Sequence, residues 1–216
     1  MLPKTITVGP LASASPNNIA LSQSLAGAGS LTINGSLASN GIATLDTPRR
    51  VLITSAGNDS GLIWTLTGTA KSGIFISEIF NGGNAAAVYS ALDYLTVTKI
   101  SSSQATASTV TVGTNGIASS PWFRFDEWAL PNATAHSEVT GTVNYTVQGT
   151  NDDPNSQSFP VSPWLVNWND YLLGTANNTA DQYLVITQVP IWMRVLLNSG
   201  SGSVKTTIAQ MGSVPY

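Results

Sequence analysis

The chain has no cysteine and a single histidine, His136. The first absence excludes disulfides, thiolate metal sites and cysteine nucleophiles together. The second leaves a zinc site with only carboxylates to complete it, and sets zinc aside. Serine hydrolysis would have to run through His136, and no Gly-x-Ser-x-Gly elbow accompanies it. His136 reads as a loop histidine ahead of a strand. The expectation is a non-enzyme without cofactor or metal.

Charge is scarce too. Only 9% of residues are charged, against about 25% in an average domain. Low charge with ordinary apolar content is the reverse of the balance that keeps chains disordered. A net charge of −3 gives no electrostatic footprint for nucleic acid. The one adjacent basic pair, Arg49-Arg50, reads as a strand-edge feature. No apolar run approaches the roughly 20 residues needed to span a bilayer. The N-terminus shows no basic region followed by an apolar core. A soluble protein with no membrane partner is expected.

What the chain does have is strand-forming sequence. Val51–Thr54 and Leu62–Leu66 flank a Gly/Asn/Asp-rich connector, the pattern of a β-hairpin. A second such pattern follows Trp192, where Trp192–Leu197 and Val204–Ile208 flank a Ser/Gly run. Asn40-Gly41 suits a tight hairpin turn. Thr5–Val8, Ser30–Gly35, Gly73–Phe80, Tyr94–Ile100 and Ser108–Gly113 supply further strands, and Glu138–Gln148 reads as one long alternating strand. Thr114–Pro121 is the best linker. The expected fold is all-β, with two tandem antiparallel β-sandwich units of jelly-roll or Ig-like type over 1–117 and 118–216. The units echo each other, Trp64-Thr65-Leu66-Thr67-Gly68-Thr69 against Tyr145-Thr146-Val147-Gln148-Gly149-Thr150. Duplication and convergent β composition both produce such an echo.

Aromatic residues are the sharpest features. Five of the six tryptophans lie beyond the linker. Trp122, Phe123, Phe125 and Trp128 form one group, and Trp164, Trp168 and Tyr171 another. Large aromatics anchor interfaces, stack on sugars or fill cores. Tyr145 and Trp192, inside strand patterns, are expected in the core. Trp122, Phe123, Trp128, Trp164 and Trp168 are the interface candidates, with Pro-flanked Trp122 and Trp164 foremost. The Asn151-Asp152-Asp153-Pro154-Asn155 turn could hold calcium, but it lacks the spacing and closing Glu of an EF-hand, and Asx-rich turns usually satisfy their own backbone. Asp126-Glu127 are sequence neighbours that point to opposite faces of a strand, unlike paired glycosidase carboxylates.

The segments RRVLITSAGNDSG, TVTKISSSQATASTVTVGTNG, GTVNYTVQGTNDDPN and VLLNSGSGSVKTTIAQ together resemble a group of tailed-phage virion proteins. Those are small, Ser/Thr/Gly-rich, cysteine-poor β proteins encoded among head and neck genes. The resemblance implies a non-enzymatic structural component of the virion, assembled in the bacterial cytoplasm. First among the roles it implies is a capsid decoration (cement) protein, a homo-oligomer bound to the major capsid protein. A collar, neck or tail component contacting neck or tail proteins comes next. A carbohydrate-binding host-adhesion module using the tryptophans as platforms is the reading of a different class.

Overall fold

The computed structural model describes residues 3–71, 73–126, 129–170 and 176–211. Strands in chain order are β1 (Lys4–Val8), β2 (Ser15–Gln23), β3 (Gly29–Ser30), β4 (Ala38–Ser39), β5 (Ile42–Arg49), β6 (Val51–Ser55), β7 (Ile63–Thr69), β8 (Phe75–Asn81), β9 (Ala87–Tyr89), β10 (Tyr94–Ser102) and β11 (Val110–Thr114). They continue with β12 (Ala118–Ser119), β13 (Phe123–Arg124), β14 (Ala133–Thr140), β15 (Val143–Thr150), β16 (Asn169–Asp170), β17 (Gln182–Ile186), β18 (Trp192–Gly200) and β19 (Ser203–Gln210). A single 3-10 turn, Pro163–Leu165, is the helical element among the described residues, and none is long and apolar enough to cross a membrane. The fold is all-β and antiparallel, as the alternation predicts.

Two units form, one over Ala12–Gly116 and one that joins Met1–Leu11 to Ile117–Tyr216. The expected N-terminal unit over 1–117 is therefore corrected at its start. β1 pairs with β19, Lys4 opposite Ile208 through Val8 opposite Val204. Ile6 and Val8 enter the C-terminal core, so the first strand belongs with the last. The N-terminal unit is an insertion after the first strand of the C-terminal one.

Each unit has two sheets. In the N-terminal unit β2-β11-β6-β9 faces β4-β5-β10-β7-β8, with β3 also on β10. In the C-terminal unit β1-β19-β14-β17 faces β12-β18-β15-β16, with β13 also on β18. The two orders match along the smaller sheet and along three strands of the larger one. β2, β11, β6 and β9 correspond to β1, β19, β14 and β17, and β10, β7 and β8 to β18, β15 and β16. The sequence echo falls on the matched strands β7 and β15, and both Trp64 and Tyr145 are fully buried there.

The two anticipated hairpins are corrected. β6 and β7 lie in different sheets, as do β18 and β19, so each pair is joined by an arch across the sandwich. The long strand expected over Glu138–Gln148 is likewise two strands. It turns at Gly141, whose φ of 79° lies in the left-handed region, and resumes in the other sheet at Val143. The Asn40-Gly41 hairpin forms as expected: φ is 51° and 76° at its two residues, and Ala38 faces Ala43.

Arg49 and Arg50, expected at a strand edge, are instead buried in the N-terminal unit. Arg50 donates to the Ser90 carbonyl at 2.7 Å and to Asp93 at 3.2 Å. Glu78 points inward from β8 and accepts the Ala91 N–H at 2.8 Å. Burial pushes its carboxyl above the ordinary 4.5, against the opposing pull of the Ala91 and Leu92 N–H groups, the Tyr94 hydroxyl and the Arg50 charge. The same burial, with Glu78 beside it, pushes the Tyr94 hydroxyl up. Asp46 behaves oppositely. Burial raises it, but the Ala12 N–H and Arg49 outweigh that and hold it below the ordinary 3.8.

A pH dependence follows. A raised folded-state value means that the folded unit binds the Glu78 proton more tightly than the unfolded chain, so stability is lost as pH rises above 4.5. Asp46 loses its contribution as pH falls below 3.8. Their joint contribution peaks between those values. Urea unfolding against pH should show stability declining above that peak, and Glu78→Gln should flatten the decline.

Candidate interaction surface

Alternation on β18 sends Met193, Val195 and Leu197 into the C-terminal core and Trp192, Arg194, Leu196 and Asn198 to the outer face. On β15 the core takes Val143, Tyr145 and Val147, leaving Thr146 and Gln148 outside. Register then builds a row across the sheet, with Gln148 opposite Arg194 on one side and Asp170 on the other. The Arg194 Nε donates to Gln148 Oε1 at 2.9 Å, and the Gln148 Nε2 donates to Asp170 Oδ1 at 3.1 Å.

Tryptophans close over this row. Trp168, immediately before β16, lies 4.1 Å from the Arg194 guanidinium. Arg194 is only 6% exposed, and a desolvated cation–π contact of this kind contributes about 2 kcal/mol. The Trp122 ring stands edge-on to Trp168 at 4.9 Å and to Trp192 at 6.1 Å. Trp192 donates its indole N–H to Asp153 Oδ1 at 3.1 Å, while Arg124 reaches Asp153 Oδ2 at 3.5 Å. Trp122, Trp168 and Trp192 are all half-buried. Beside them Arg124, Asp126, Asp153 and Ile191 line a shallow cavity of about 160 Å³. Further along the face, Asn198 Nδ2 donates to Asn144 Oδ1 at 2.8 Å and Thr146 Oγ1 at 2.9 Å.

Of the residues singled out from sequence, Trp122 and Trp168 meet here. Trp164 sits separately, half-buried in the Pro163–Leu165 turn. Trp128 lies outside the described residues, as do Glu127 and Tyr171. Phe123 is corrected: it is 2% exposed, packs edge-on against Phe125 at 4.8 Å and belongs to the core. The alternation explains it, since Phe123 and Phe125 point inward and Arg124 outward. Trp192 is corrected in the other direction, from core to outer face, because Met193 takes the inward position. Tyr145 is buried as expected. Arg194 and Gln148 were missed; their period-two relation to Met193 and Val147 was the signal that could have found them.

The Asp152-Asp153 turn commits its carboxylates to protein donors. Asp152 Oδ2 accepts the Asn167 N–H at 2.7 Å, and Asp153 Oδ1 accepts the Asn155 N–H at 2.9 Å. Among the described residues no three His, Asp or Glu side chains converge on one point. His136 is on β14 rather than in a loop, exposed on the opposite sheet, with Glu138 at 3.8 Å and Lys205 bonded to that carboxylate at 2.9 Å. The hydrogen bond from Lys205, then its charge, holds Glu138 below the ordinary carboxylate range.

This arrangement is a rigid Trp/Arg cluster of the composition found at interface hot spots. No protein-family model matches the chain, and no curated protein matches it.

Proposed function

We propose that this protein is a non-enzymatic structural component of a bacteriophage virion, a decoration (cement) protein that stabilises the capsid through contacts with the major capsid protein. The observation that carries the reading is the half-exposed Trp122–Trp168–Trp192 cluster with its two arginines. It is set on a chain that is 9% charged and whose segments resemble tailed-phage head and neck proteins. Trp and Arg held in place by packing lose little freedom on docking. A neutral, hydroxyl-rich surround adds modest contacts that repetition on a symmetric shell multiplies.

The particle is the expected location. Quantitative mass spectrometry of purified particles should find this protein at a copy number near that of the coat protein. A ring's worth of copies would move it to the collar, neck or tail, and absence from particles would overturn the virion reading. The half-buried Trp164, on an exposed turn apart from the cluster, favours sugar binding as the second reading. Quenching of tryptophan fluorescence by carbohydrates would support that one.

A further inference from the structure

The edge of the larger sheet in the N-terminal unit is built in an unusual way. β8 ends the order β4-β5-β10-β7-β8, is seven residues long and reads Phe-Ile-Ser-Glu-Ile-Phe-Asn. Edge strands in natural proteins are ordinarily short, charged, bulged or covered, because an open row of N–H and C=O groups templates pairing with another chain. This molecule uses those devices elsewhere. In β16, the counterpart of β8 in the other unit, the described residues Asn169 and Asp170 are both polar and one is charged. The outer edge of β2 is covered by the following segment, with the Gly35 and Leu37 N–H groups bonded to the Ile19 and Asn18 carbonyls. On β8 the one charged side chain, Glu78, is turned into the sandwich and is 1% exposed.

The hydrogen-bond phase of β8 is fixed by its ladder with β7. Ala70 donates to the Ile74 carbonyl and Gly82 to the Leu62 carbonyl, at the two ends of a register in which Leu66 faces Glu78. In an antiparallel ladder the bonded pairs alternate, so even-numbered residues of β8 are bonded to β7. The odd-numbered residues Phe75, Ser77, Ile79 and Asn81 therefore aim their N–H and C=O groups at the open edge. Their side chains share the outer face, where Phe75 is 67% and Ile79 52% exposed.

We infer that β8 is a homotypic interface, pairing antiparallel with β8 of a second copy about a two-fold axis through Ser77. The strand is self-complementary in that arrangement. Ser77 faces its own copy, and Phe75 faces Ile79 on both sides of the axis, all as hydrogen-bonded pairs with the phase just described. An isologous contact requires this kind of self-complementarity. Each Phe75–Ile79 contact is a cross-strand aromatic–β-branched pair, a favourable combination. The outer face carries no charge along β8, so two copies meet without like-charge repulsion. The joined sheets would run continuously through both N-terminal units. This inference rests on the β8 geometry and is independent of where the protein works.

Analytical ultracentrifugation of the full chain tests it. The wild-type protein should sediment at twice the monomer mass in the micromolar range. Ile79→Lys places a like charge beside the axis from an already exposed position, and should return the protein to monomer with an unchanged circular dichroism spectrum. In a second variant, Ser77→Cys, the introduced thiol is the only one in the chain. A short bis-maleimide should link it to its copy, giving a covalent dimer. A monomeric wild-type protein, an Ile79→Lys variant that remains dimeric, or a Ser77→Cys variant that resists cross-linking would each overturn the inference.

Discussion

Replacing Arg49 with alanine should destabilise the N-terminal unit by about 3–6 kcal/mol, the sum of two charge-assisted hydrogen bonds at about 1.5–3 kcal/mol each. Arg49 is 1% exposed and holds together the two points where the chain enters and leaves its unit. Its guanidinium donates to the Ala12 carbonyl at 2.8 Å and to the Asn115 carbonyl through both Nε and a terminal nitrogen. The ion pair with Asp46 at 3.1 Å adds less, because Asp46 is 31% exposed and keeps part of its hydration. Alanine would leave two carbonyls without these donors and an empty space where the side chain lay. Arg49→Lys should recover little, since a single ammonium cannot reproduce the planar fork that spans both carbonyls. Hydrogen-exchange mass spectrometry should show the lost protection concentrated in residues 12–116. A change below about 1 kcal/mol would contradict the assigned role, being the size of an ordinary exposed ion pair.

Gly202→Ala should cost the C-terminal unit about 3 kcal/mol, the upper end of ordinary overpacking. Gly202 lies on the β18–β19 arch, beside the β14–β15 arch at Gly141. A methyl group there would collide with the Thr140 carbonyl oxygen and lie 2.9 Å from the Val143 side chain. The first obstacle is backbone, so it cannot rotate away. Gly116→Ala serves as the control, because a methyl group at that position meets nothing within 4 Å. That change should be neutral or slightly stabilising, as the unfolded chain loses freedom. Similar costs for the two substitutions would mean that the stacked arches do not hold the unit together.

Much of the fold was legible from alternation. The strands around Val51, Ile63, Tyr94, Val110 and Val204 are where the two-residue period places them, and the Asn40-Gly41 pair marked its turn, where both residues take positive φ. Partnership was not legible. An alternating strand looks the same whether it pairs with its sequence neighbour or crosses to the opposite sheet, so the β6–β7 and β18–β19 arches read as hairpins. The placement of β1 was equally hidden, because its partner β19 lies at the other end of the chain. Within the candidate surface, Trp122 and Trp168 stood out as aromatic residues near prolines or in Trp-rich sequence. Arg194 and Trp192 emerged only once register put Gln148, Asp170 and Arg124 beside them. The buried pair Arg49-Arg50 was misread because long cations are rarely enclosed unless backbone carbonyls from distant segments converge on them, and convergence is a tertiary property.

The most direct test of the proposed role is cosedimentation of the purified protein with phage heads assembled without it. The wild-type protein should bind saturably, with a stoichiometry set by the coat lattice. A Trp122→Ala/Trp168→Ala double variant that stays folded should lose about 100-fold in affinity, as removal of hot-spot side chains does. Heads that take up no wild-type protein, or that bind the folded double variant equally well, would contradict the account.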